Sequence, residues 1–110
     1  MDLEKYGFRK DYDINNRIVK QESVTYKNKE YFVSTVDLGI NYQMSVLDPT
    51  PIYFETMIFE LDEKKQIDGH DLYCDRYETR EEALKEHNRL IELFNVGKIE
   101  LVNGYFEEIK

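Results

Sequence analysis

The chain has 110 residues, 41% of them apolar, and a net charge of −8 at pH 7. That length supplies one core and one domain, and the apolar share is too high for a disordered chain. The acidic balance argues against non-specific binding to nucleic acid or to an anionic membrane, because both call for a positive surface.

No run approaches the roughly 20 apolar residues of a membrane helix, and no signal-peptide pattern opens the chain. The single cysteine, Cys74, excludes an internal disulfide and fits a reducing compartment. The expectation is a cytoplasmic protein. Nine Tyr and six Phe can build a core without Trp.

Residues 1–16 mix charges and tyrosines with no sustained period, and Gly7 interrupts any helix. They read as a loosely held N-terminal arm with a turn of helix, followed by a single domain over 17–110. Arg17 to Tyr26 is a strand by its Val, Ile and Thr content. Lys27-Asn28-Lys29-Glu30 is a polar turn, and Tyr31 to Leu38 returns as the second strand of a hairpin, ended by Gly39. Asn41 to Pro51 is a long connection in which Pro49 and Pro51 hold the residues before them extended.

Ile52 to Leu61 is the most apolar run. On a strand, Ile52, Phe54, Thr56 and Ile58 share one face, and Tyr53, Glu55, Met57 and Phe59 share the other. Both sets are mostly apolar, which predicts a central strand covered on both sides. Glu55 and Thr56 are its polar anomaly. Asp62 to Lys65 is a turn, 67–71 a loop around Gly69, and Leu72 to Tyr77 a fourth strand.

Thr79-Arg80-Glu81-Glu82 has the capping-box spacing that opens a helix. Ala83, Leu84, His87, Leu90, Ile91 and Phe94 then form one stripe at helical spacing, and Asn95 and Gly97 stop it. Asn103-Gly104 between apolar residues predicts a second hairpin or a short terminal strand. The order β-β-β-β-α-β predicts an α+β fold: a small antiparallel sheet of four to five strands with one main helix on one face.

These residues also carry a family pattern. Asn16-Arg17-Ile18-Val19, Val33-Ser34-Thr35-Val36 with Leu38-Gly39, Pro51 with Phe54-Glu55-Thr56-Met57 and Phe59, and Arg76-Tyr77 with Thr79, Glu82-Ala83 and His87 follow one another in order. Over about 16–94 the chain resembles a family of small uncharacterised proteins encoded by bacteriophages and prophages. It departs from that pattern at Ile40-Asn41-Tyr42, where members often carry an Asp-His pair, and in a longer stretch from Glu60 to Asp75. The resemblance implies a phage-derived protein of the bacterial host cytoplasm and implies no reaction.

Two residues invite chemistry. Glu55 is a carboxylate on a mostly apolar strand. It is either a structural acceptor for Arg76, Thr35 or a backbone amide, or a general acid or base. His87 lies in the helix stripe. It is either a core histidine bonded to a carboxylate or hydroxyl, or the partner of Glu55 in one polar centre between helix and sheet. A zinc site from His70, Cys74 and His87 has none of the usual ligand spacings, and Cys74, in line with Leu72, reads as a packed thiol.

The expectation is therefore a binding protein rather than an enzyme. It would act on a host or phage protein, and as a homodimer, because small sheets leave edges to pair. The alternative is a binder of a small polar ligand, such as a nucleotide signal, in a pocket near Ser34, Thr35, Glu55, Thr56, Arg76 and His87. A hydrolase using Glu55 and His87 is the third reading. No cofactor, metal, nucleic acid or membrane is expected.

Overall fold

In the computed structural model, residues 3–41, 47 and 50–110 are described. Four strands run as an antiparallel meander in the order β1-β2-β3-β4: Ile18–Tyr26, Lys29–Asp37, Phe54–Leu61 and Ile67–Tyr77. One helix, α1 (Arg80–Val96), follows, and β5 (Ile99–Val102) with β6 (Tyr105–Glu108) forms a separate hairpin. The fold is α+β, as the element order predicts.

Local chemistry accounts for most boundaries. Lys27 and Asn28 both adopt positive φ, which matches the twist of a two-residue hairpin turn. Asn103 and Gly104 do the same between β5 and β6, so the Asn-Gly signal marks a true hairpin. Thr79 caps α1 by accepting from the Glu82 amide at 3.1 Å. The Glu82 carboxylate reaches back one residue further than a standard capping box, to the Glu78 amide. At the other end Gly97 is left-handed, the Gly97 amide donates to the Phe94 carbonyl, and the Lys98 amide donates to Leu93, a Schellman stop.

Two expectations shift. The stretch 67–71 is not a loop: β4 begins at Ile67, and the β3–β4 register slips between Ile58 and Glu60. A bulge absorbs the extra residues, with Gly69 at positive φ. Leu84 leaves the helix stripe and is 39% exposed, so Ala83, His87 and Leu90 alone are fully buried. The connection expected over Asn41 to Pro51 lies largely outside the described residues.

Among the described residues, the helix and the terminal hairpin pack on one face of the sheet. Val24, Tyr31, Val33 and Ile58 meet Leu90 of α1 and Ile99 and Phe106 of the terminal hairpin. Phe106 is the hub: its ring lies 5.0 Å from Tyr31, 5.1 Å from Phe94 and 5.3 Å from Tyr26, each edge to face. A smaller cluster joins Phe54, Tyr77 and Ala83. The expectation of a central strand covered on both sides is corrected here. Among the described residues α1 is the single long helix, and it lies on the Phe54–Thr56–Ile58 side of β3.

Arg9 ties the N-terminal segment to the sheet. Arg9 grips the Asp37 carboxylate with two nitrogens, at 2.7 and 3.1 Å, and that carboxylate also accepts from the Gly39 amide. The guanidinium lies over the rings of Tyr53 and Phe54. Gly39 has φ +75°, and a Cβ there would come within 2.8 Å of the Phe8 and Tyr12 rings, so no other residue fits.

Candidate functional site

Adjacent residues on a strand point to opposite faces. Register therefore divides the six sequence candidates into two groups. Thr35 pairs with Thr56 on the helix side, while Ser34 pairs with Met57, and Glu55 with Arg76, on the other.

On the helix side Thr35, Thr56 and His87 are all 0% exposed. They form a chain: Thr56 Oγ1 lies 2.5 Å from Thr35 Oγ1, which is 2.7 Å from His87 Nδ1, and His87 Nε2 is 2.8 Å from Glu22 Oε2. Burial pulls the imidazolium below its ordinary pKa, with the Glu22 carboxylate opposing. Proton bookkeeping for a neutral ring then fixes each role. His87 donates from Nε2 to Glu22 and accepts at Nδ1 from the Thr35 hydroxyl, and Thr35 Oγ1 accepts from Thr56. Every polar group in the chain is matched, and it separates the Ile58–Leu90 cluster from the Phe54–Ala83 cluster. Nearby, the buried Tyr77 hydroxyl lies beside Thr56 without a well-formed hydrogen bond among the described residues, and burial pushes its phenol well above the ordinary range.

This corrects the expected Glu55–His87 centre. His87 takes Glu22 from β1, and Glu55 faces away from α1. The one residue between Glu55 and Thr56 decides the matter. Glu22 is the residue that sequence reasoning missed. Its only signal is its place on β1 two residues before Val24, on the same face.

On the far side Arg76 Nε donates to Glu55 Oε2 at 2.8 Å, and the Cys74 thiol lies 3.7 Å from the same oxygen. Glu55 is thus the structural acceptor for Arg76. Burial and the Glu55 charge push the Cys74 thiol upward, which makes it a poor nucleophile. Gln21 donates to Ser34 across the β1–β2 pair. The zinc grouping is not assembled, because Cys74 is on this face and His87 on the other. No group of three or more metal-ligating side chains occurs among the described residues.

The open face is otherwise apolar. Register places Phe32 and Val36 of β2 and Met57 and Phe59 of β3 on it, all half-buried, with Ile18 45% and Ile67 51% exposed at opposite ends. A slot of about 460 Å³ opens at the Ile67 end, lined by Ser23, Glu30, Phe32, Leu61, Lys65 and Ile67. A wider cleft of about 810 Å³ adjoins it between the β1–β2 and β3–β4 turns. Two of its lysines are committed, Lys29 to Glu60 at 3.1 Å and Lys65 to Glu30. None of the six sequence candidates lines either depression.

No helix among the described residues is long and apolar enough to cross a membrane. Comparison of the chain with protein-family models, with curated proteins and with solved structures finds no match.

Proposed function

We propose that this is a phage-derived accessory protein that acts by binding another protein, with the open face of the four-stranded sheet as its docking surface. The observation that carries the reading is a sheet face on which no second layer lies among the described residues, with Phe32, Val36, Met57 and Phe59 half-buried at its centre. Apolar surface of that kind, rimmed by polar groups, is what protein interfaces are made of. What speaks against a small-ligand site or a hydrolytic centre at the sequence candidates is their division between two faces, with Glu55 held by Arg76 and His87 by Thr35 and Glu22.

The test is site-specific photocrosslinking in the bacterial host. A photoreactive residue at Phe59 is expected to yield a discrete polypeptide adduct, and one at Glu92, on the exposed side of α1, is expected to yield none. Equal labelling from both positions would remove the docking reading.

A further inference from the structure

The open face has a property that the rest of the molecule lacks. The chain carries a net charge of −8, yet this face holds two ion pairs, with Asp71 as a further carboxylate beside Cys74. Glu55 is paired with Arg76 at one end, and Glu30 with Lys65 at the other. A second copy of so acidic a chain meets less repulsion here, where most of the charge is paired, than over the acidic remainder of the surface.

The two ends also complement each other. One end holds the slot between Phe32, Leu61 and Ile67. The other carries Ile18, opposite Val36, with 45% of its surface exposed. If two copies stack face to face about a two-fold axis that crosses the strands, each end of one lies over the opposite end of the other. The Ile18 end of each copy then meets the slot of its partner, and each Glu–Arg pair meets a Glu–Lys pair. That is an isologous contact, in which the same patch serves both copies.

The area suffices. β3 is 8 residues long in a four-stranded sheet. With strands about 4.8 Å apart and a rise of about 3.3 Å per residue, the face covers about 500 Å² in projection. Side-chain relief raises the accessible area toward the about 800 Å² that each partner gives to a standard interface.

We propose that a second copy of this chain docks on the open face, sheet against sheet, about a two-fold axis that crosses the strands. The proposal rests on the reading of that face as a protein-docking surface, and names its occupant. It makes the dimer a sandwich of two sheets with the helices outside, rather than an edge-paired continuous sheet.

Cys74, the single cysteine, provides a native probe, because it is exposed on this face in the isolated chain. Sedimentation of the full chain should show a species of twice 13.3 kDa. The reaction of Cys74 with a small thiol reagent should slow about tenfold as protein concentration rises through the dissociation constant. Met57→Lys, which sets two ammonium groups against each other, should return the chain to monomer and restore the fast reaction, with unchanged far-ultraviolet circular dichroism as the folding control.

A dimer that survives Met57→Lys with Cys74 unprotected would mean edge pairing, and overturns the proposal. A chain that stays at 13.3 kDa with constant Cys74 reactivity overturns it too. In that case the crosslinker at Phe59 separates the two readings. An adduct with a different polypeptide leaves the docking face intact and removes only the second copy, while no adduct removes both.

Discussion

The two faces of the sheet are built from the same four strands and treat polar residues in opposite ways. On the helix side a hydroxyl pair and a histidine are sealed from water and satisfied one by one, down to Glu22, whose side chain is 32% exposed. On the open side Glu55 is held by Arg76, whose side chain is 42% exposed, at the rim of an apolar surface. Burial without pairing is what costs. The covered face therefore needs a complete network, whereas the open face holds its carboxylates in ion pairs, Glu55 with Arg76 and Glu30 with Lys65. Substitutions on the two sides should differ in kind.

The largest expected effect is at the end of the covered face. Asp37→Ala leaves the Arg9 guanidinium over Tyr53 with only the exposed Asp11 as partner and frees the Gly39 amide, and should cost about 3 kcal/mol. Urea denaturation checks this. A loss below about 1 kcal/mol would mean that the N-terminal residues contribute little to the domain.

Next comes His87→Leu, which leaves Thr35 and Glu22 without their shared partner and should cost about 2 kcal/mol. It should also change the pH dependence. In the folded state the His87 pKa lies below its ordinary 6.5. The unfolded chain therefore binds the proton more readily in the window from 6.5 down to the folded value. Wild-type stability from this group is present above pH 6.5 and is lost as pH falls through that window. The variant should lack this component of the slope, and identical slopes for the two proteins would contradict the buried neutral ring.

A smaller effect sharpens the contrast directly. Glu55→Gln should cost about 1 kcal/mol, because Glu55 is buried but the amide keeps an oxygen that can accept from Arg76, whose side chain is 42% exposed. Combined with His87→Gln, its effect should add within about 0.5 kcal/mol, since the two share no partner. A coupling energy above about 1 kcal/mol would mean that the faces communicate. Smallest of all, Ser34→Thr on the open face should stay within about 0.5 kcal/mol in the monomer, and a larger loss would show the face to be packed.

What the sequence determined by itself was local. The capping residues around Thr79, the Gly97 stop, the positive-φ turns at Asn28 and Asn103-Gly104, and the alternation within β2 and β3 all rest on neighbours a few residues apart. Their physics reads off the string. The helix stripe placed His87 inward for the same reason. Tertiary structure decided the rest. Which of Glu55 and Thr56 meets the helix depends on the side of the sheet that α1 covers, and alternation alone assigns both faces equally well. Glu22 reaches His87 across 65 positions of sequence, and Arg9 reaches Asp37 across 28. No periodicity links such pairs. β4 extends through 67–71 because β3 offers it a ladder, although its own residues there favour a loop. The helix covers one side of the four strands because 17 residues in a single segment can pack on only one face.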